Sequence, residues 1–313
     1  MAPAGAARAR PRRRAALALV ERRFPLHLEP KLLTIRELYH SAKKARWDPE
    51  RHIPWKKLDP GAYDAAELDA ARRSWSRRAW VEYGGMPETP AILIRFCLEH
   101  DGESDPKMFL TVRGTEEAWH VECCWRFAEA LGGYVSAPAN AEYAALFNQS
   151  FHSKAFDPAV SVDAYVAAHV AVQDGIDLEL YRSHLRSATD PVADAILKRL
   201  VGDKERHVAF GWVYLTERAK DWTDAMRVDV AAEVEHVIGD LELNGYHCAW
   251  LAPGDVAAEI VAADDVTRRA GLGASSVAEE TAVLRRWFED ARGAFAKIGI
   301  AVRRFTHPSL GEV

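Results

Sequence analysis

The sequence predicts an all-α protein built around an antiparallel helical bundle. Three observations carry this: apolar residues recur at three- and four-residue steps over long stretches, strand-like alternation is scarce, and short turns join the stretches, so consecutive helices are antiparallel neighbours. Residues 22–63 read as irregular, with a helix-like piece at Leu32–Tyr39 and punctuation at Trp47-Asp48-Pro49 and Ile53-Pro54-Trp55. From Asp64 the pattern turns helical: Leu68, Ala71, Trp75, Ala79, Glu82 and Tyr83 form one stripe, on which Glu82 is the charged member. Gly84-Gly85-Met86-Pro87 interrupts it, Pro90–Cys97 resumes it, and Asp101–Pro106 makes a turn. A second helix runs from about Lys107 to Leu131 and stops at Gly132-Gly133. A third covers about 158–187, the turn 188–191 follows, and a fourth covers about 192–219. Further helices are expected at 222–244, 255–263 and 276–298, the last with Arg285, Arg286 and Trp287 on an amphipathic face that covers the bundle or forms a dimer face. Residues 22–313 are thus expected to form one domain, with the bundle core at about 64–220 and added helices at 222–300.

Composition narrows the function classes. The chain has 313 residues, 49% of them hydrophobic, and 41 basic against 46 acidic residues, a net charge of −5. That balance offers no basic surface for nucleic acid. No stretch approaches the ~18–20 apolar residues of a membrane span. Cys97, Cys123, Cys124 and Cys248 show no paired spacing and read as reduced, largely buried thiols of a cytoplasmic protein. Residues 1–21, rich in Ala, Arg and Pro, read as a disordered basic tail; an organelle transit peptide is the alternative.

Glu117 and His120 are the most informative pair. Three residues apart on a helix, a carboxylate and an imidazole share one face, the spacing that lets one helix give oxygen and nitrogen to a transition metal. Such a pair also arises by chance, and Glu233-Val234-Glu235-His236 is read as that accident. Glu117/His120 has company. Folding the third and fourth helices about the turn at 188–190 sets Asp174 level with 203–204, in an apolar stretch where an unpaired carboxylate is costly. His207 lies one turn further from that hairpin, and Glu82 lies 35 residues before Glu117, a plausible out-and-back length. The bland alternatives are an ion pair of Glu82 with Arg78, a Tyr or Trp hydrogen bond for Asp174, and a core position for His207. His152, His169 and His247 have no partner pattern and read as structural, as do Tyr83, Trp119 and Trp125.

The order Glu82, Glu117-x-x-His120, Asp174, His207, with Arg206-His207-Val208-Ala209-Phe210-Gly211, resembles the ferritin-like non-haem di-iron oxygenase/oxidase superfamily. Within it, the Glu82–Glu117 separation and Trp47-Asp48-Pro49…Ile53-Pro54-Trp55 are most similar to the para-aminobenzoate N-oxygenase-like branch. The resemblance spans about residues 30–245. It implies a ferritin-like four-helix bundle, two iron ions or iron plus manganese held by Glu82, Glu117, His120, Asp174 and His207, and O₂ as co-substrate. It also implies a small organic substrate and an external electron donor; a homodimer is compatible with it.

This chain departs from the pattern. Asp174 stands where the family usually has Glu, and Lys204 stands where it has the Glu of a second Glu-x-x-His. Asp203, four residues before His207, is one substitute ligand. Lys204 itself is another, neutral and ligating or charged and replacing one cation. Loss of the second position, leaving one metal or none, is the third outcome. Leu200 occupies the position of an extra His of the N-oxygenases, which tells against N-oxygenation; hydroxylation or desaturation without it shares every ligand and is a third, weaker option. The expected function is a metal-dependent oxidase or oxygenase; the alternative is a bundle that lost its centre and acts as a binding or partner subunit. Arg206 is expected to orient a ligand carboxylate.

Overall fold

The computed structural model describes residues 24–100, 103–148, 156–157 and 159–313. The basic segment 1–21 and His152 lie outside the described residues. Among the described residues twelve α-helices follow in chain order: α1 (Leu33–Lys44), α2 (Pro49–His52), α3 (Ala65–Tyr83), α4 (Gly85–Glu99), α5 (Ser104–Ala130), α6 (Ala141–Phe147), α7 (Val162–Val166), α8 (Asp174–Ser187), α9 (Pro191–Arg218), α10 (Asp224–Asp240), α11 (Ala258–Arg269) and α12 (Val277–Lys297). A two-stranded antiparallel ribbon, β1 (Thr306–His307) with β2 (Gly311–Glu312), closes the chain. The bundle is antiparallel, with α3 along α5 and α8 along α9.

Local chemistry sets the helix ends. The Asp64 carboxylate accepts from the N–H groups of Ala66 and Glu67, and Glu67 reaches back to close a capping box. Asp190 does the same for Val192 and Ala193, with Pro191 in the first turn of α9, where its missing N–H costs nothing. The α8–α9 turn is pinned from outside: Thr189 and Asp190 both donate to the carbonyl of Gly271, whose φ of +74° suits a glycine. Gly84 keeps helical angles, so the expected interruption is a junction between two helices rather than a loop. The Asp105-Pro106 pair, expected in a turn, sits in the first turn of α5, where Asp105 accepts from the N–H groups of Lys31 and Leu32.

One feature of the third bundle helix leaves no trace in the periodicity. Between α7 and α8, Ala167–Gln173 is π-helical. The wider turn inserts a residue into the register immediately before Asp174. It fits because Gly211 of α9 faces it: a Cβ there would lie 3.0 Å from Val170 Cγ1 and 3.3 Å from the Ala171 nitrogen. The C-terminal helices cover the bundle as expected, Trp287 of α12 packing on Gly175 of α8.

The apolar core falls into two clusters. One holds Phe109, Leu110, Val170, Phe210 and Tyr214; the other holds Trp75, Cys123, Phe127, Leu197 and Leu200. Between them, Arg113, Glu116, Glu117 and His120 of α5 and Asp203, Lys204 and His207 of α9 are polar yet buried. The bundle therefore has a buried polar layer between two apolar ones. Gly211→Val should destabilise the protein by about 1–3 kcal/mol through overpacking against the π segment, measured by urea denaturation, whereas Gly202→Ala, with nothing within 4 Å of its Cβ position, should not destabilise it.

Candidate metal centre

Every residue singled out for ligation lies in that polar layer. Glu82 from α3, Glu117 and His120 from α5, Asp174 from α8, and Asp203, Lys204 and His207 from α9 are all buried. They converge. Glu82, Glu117 and His120 offer one ligand atom each within 4.8 Å of one another, and so do Glu117, Asp174 and His207. Glu117 belongs to both groups.

The two imidazoles are mounted alike. His120 turns Nδ1 to Glu82 (3.1 Å) and Glu117 (3.8 Å), while Nε2 meets Asp203 at 3.0 Å. His207 turns Nδ1 to Glu117 (3.3 Å), and its Nε2 meets Glu116 at 2.9 Å. Arg206, expected to orient a ligand carboxylate, donates instead to the two carboxylates that back the imidazoles, Glu116 and Asp203. Trp47 donates to Asp203 at 2.8 Å. Asp203, expected as a substitute ligand, therefore stands behind the His120 ring, on the side away from Glu82 and Glu117. It holds the ring rather than joining the inner group. Tyr181, from α8, donates to Glu82 Oε1 at 2.5 Å and fixes that carboxylate.

Cations occupy the interior. The Lys204 ammonium lies 3.0 Å from Asp177, 3.2 Å from Asp174, 3.3 Å from Glu82 and 3.7 Å from Glu117. Arg113, buried one turn before Glu117, donates to Asp174 at 2.8 Å and lies 3.3 Å from Glu117. Sequence reasoning passed over Arg113, Glu116 and Asp177. Asp177 is three residues after Asp174, and Arg113 four before Glu117, so helical spacing from the named ligands would have found both. Tyr83 and Trp125, expected in packing, are exposed.

The electrostatics follow from this crowding. Burial alone would raise the carboxylate values, but Lys204 with His120 outweighs it at Glu82, held down at about 2, and Lys204 with Arg113 and His207 at Glu117, held well below the usual range. Burial likewise opposes a charged His120, yet Asp203 and Glu82 push it up to about 10, and His207 is raised by Glu116 and Glu117. Asp177 goes the other way, up to about 7, because burial and Glu82 exceed the pull of Lys204. The layer thus holds six carboxylates (Glu82, Glu116, Glu117, Asp174, Asp177, Asp203) against Lys204, Arg113, Arg206 and two imidazoles whose carboxylate partners favour the charged form.

A metal fits this donor set. Both oxygens of Glu117 and Nδ1 of His207 are buried with no hydrogen-bond partner, although charged neighbours surround them. These are the inward-facing atoms, and each imidazole has its far nitrogen on a carboxylate, the arrangement that orients a histidine ligand. A Cβ at position 85 would fall 2.6 Å from Glu117 Oε2, so Gly85 makes the room in which that carboxylate sits.

No family model and no curated protein sequence matches the chain. Solved structures do. An R2-like ligand-binding oxidase with an aerobically reconstituted Mn/Fe cofactor aligns with a TM-score of 0.63 and 16% identity, over 82% of this chain and 91% of that one. The fold is that of the R2-like ligand-binding oxidases. A variant of such an oxidase with an anaerobically reconstituted Mn/Fe cofactor gives a TM-score of 0.64 at 16% identity over 83% and 93%. A variant with a non-activated Mn/Mn cofactor gives 0.59 at 15% over 83% and 92%. The ferritin-like, all-α architecture read from the sequence is therefore the observed one; at these identities the likeness to the R2-like oxidases is one of fold. Among the described residues no helix is long and apolar enough to cross a membrane.

Two outcomes follow for the metal-free protein. Lys204→Met strands an ammonium's worth of buried negative charge and should cost about 3–5 kcal/mol in urea denaturation, with much of the loss restored by a divalent cation. His120 binds its extra proton only when folded, so its contribution is complete below its ordinary value of 6.5 and disappears as pH rises towards about 10. Denaturation midpoints at pH 6, 8 and 9.5 should fall with pH, and fall less steeply in His120→Gln.

Proposed function

We propose that this protein is a metal-dependent, O₂-activating oxidase acting on a small organic substrate. The observation that carries the reading is the pair of buried carboxylate–imidazole groups sharing Glu117, set in the fold of oxidases whose solved forms hold Mn/Fe or Mn/Mn cofactors. Glu82, Glu117 and His120 would hold one ion, and Glu117, Asp174 and His207 a second. When bound, the metal would supply the electrons with which O₂ is reduced. The chain's own residues do the rest. Asp203 and Glu116 keep the far imidazole nitrogens protonated, so both rings present Nδ1 inward. The apolar clusters above and below the layer exclude bulk water from it.

Lys204 sets the stoichiometry in this reading. A first divalent ion would displace the extra proton of His120, since histidine ligates in its neutral form, and so adds little to the charge of the layer. A second ion adds two charges where Lys204 already places one. Lys204 therefore acts as a tethered cation that competes with the second ion. Nitrogen oxidation is not singled out: Leu200, at the position of the N-oxygenases' extra His, is packed in an apolar cluster.

The test is metal content after anaerobic loading with Fe(II) and Mn(II), followed by exposure to O₂. Wild type should retain metal and consume O₂, Glu117→Ala should retain none, and Lys204→Glu should raise the count from one to two per chain. Two ions in both proteins would show that Lys204 yields to the second ion. No metal in wild type or in Lys204→Glu would leave a partner-subunit role for the bundle and overturn the oxidase.

A further inference from the structure

Beside the centre, at the α3–α4 junction, lies a cavity of about 30 Å³, room for a water molecule or two. The centre's carboxylates form part of its lining, and His169, Gln173 and His247 form another part. His247 comes from none of the bundle helices. It sits just after the turn Glu242–Asn244, where Gly245 has a φ of +98° and a Cβ would meet the Ala252 nitrogen at 2.9 Å. The chain there can only turn back through glycine, and the turn sets His247 against the cavity.

A buried chain of hydrogen bonds holds it. Nδ1 of His247 meets Glu242 Oε2 at 2.7 Å. Glu242 Oε1 accepts from Gln173 Nε2 at 3.0 Å, and Gln173 Oε1 accepts from His169 Nδ1 at 2.6 Å. Because a carboxylate only accepts, Nδ1 of His247 must carry hydrogen, and Nε2 is the nitrogen left to gain or lose a proton. A carboxylate fixing the tautomer of an imidazole at a reaction cavity is what general acid–base chemistry requires. The facing groups are Glu242 on its own turn, Asp177 from α8, Lys204 from α9, the Tyr246 ring, and Arg77 from α3, which binds the His247 carbonyl. Burial opposes the charged ring, but Glu242 and then Asp177 outweigh burial and Lys204, and the imidazole is raised above 6.5.

We infer that His247, oriented by Glu242, is the proton-transfer residue of this cavity and delivers protons to oxygen through Nε2. The inference rests on the oxidase reading. Reduction of one O₂ to two waters takes four electrons, from the metal and an external organic reductant, and four protons. In each delivery the Nε2–H bond breaks and an O–H bond forms on oxygen in the cavity. The neutral Nδ1–H imidazole left behind is reprotonated at Nε2 from solvent, to which His247 remains 7% exposed.

Two measurements test this. Histidine-selective ¹⁵N NMR of the metal-free protein, compared with His247→Gln for assignment, should show an Nδ1–H ring whose Nε2 titrates above 6.5; an Nε2–H tautomer overturns the inference without touching the metal reading. In the metal-loaded protein, His247→Gln should keep wild-type metal content but consume O₂ about 10²-fold more slowly. The alkaline limb of the wild-type pH profile should vanish, and added imidazole should restore rate to His247→Ala. A wild-type rate and pH profile in His247→Gln, whatever its stability, would make the residue a strut for the turn. Absence of metal from the wild type would remove both readings together.

Discussion

Concentrating carboxylates in the middle of a helical bundle is the constraint to which the rest of this molecule answers. A buried carboxylate costs several kcal/mol unless opposite charge and hydrogen bonds surround it. Here the answer is a complete layer: Lys204 among four carboxylates, Arg113 between Glu117 and Asp174, Arg206 between Glu116 and Asp203, and two imidazoles whose charged forms are favoured by their carboxylate partners. The apolar clusters on either side make that compensation strict, since water is not there to share it. The same electrostatics that hold the metal-free protein together define what can enter it. A divalent ion would have to displace the extra proton of His120 and contend with an ammonium that cannot diffuse away.

Geometry within the layer distinguishes atoms that hold from atoms that wait. The far nitrogens of both imidazoles, one oxygen of Glu82 and both backing carboxylates are saturated by Asp203, Glu116, Tyr181, Trp47 and Arg206. The oxygens of Glu117 and Nδ1 of His207 are surrounded by charge without oriented partners. That contrast is the structural observation behind the proposal that these residues hold metal. The polar cavity beside it reaches outward to a turn after α10, so its lining is shared between the bundle and the segment that covers it.

Much of this was legible in the residues. Helix periodicity gave the bundle, and hairpin symmetry about 188–190 set Asp174 level with 203–204; both depend on nearest-neighbour geometry that a regular helix carries forward. Glu117 and His120 needed only the one-turn spacing. The π segment before Asp174 was not legible, because an inserted residue in a uniformly apolar run leaves the composition unchanged and is fixed by the fit of Val170 against Gly211. His169 and His247 looked structural because Glu88 and the cavity that both rings line come from separate elements, although Gln173 and Glu242 lie only four and five residues away along the chain.

The sequence by itself determined which side chains are available, their order on the helices, and that a carboxylate-rich stripe would have to be buried. Only the tertiary structure decided which nitrogen of each imidazole faces inward, that Asp203 stands behind His120 rather than beside Glu117, and that Lys204 reaches four carboxylates at once. The physical reason is that ligation and charge compensation are matters of a few ångströms between helices, whereas periodicity constrains position only along one.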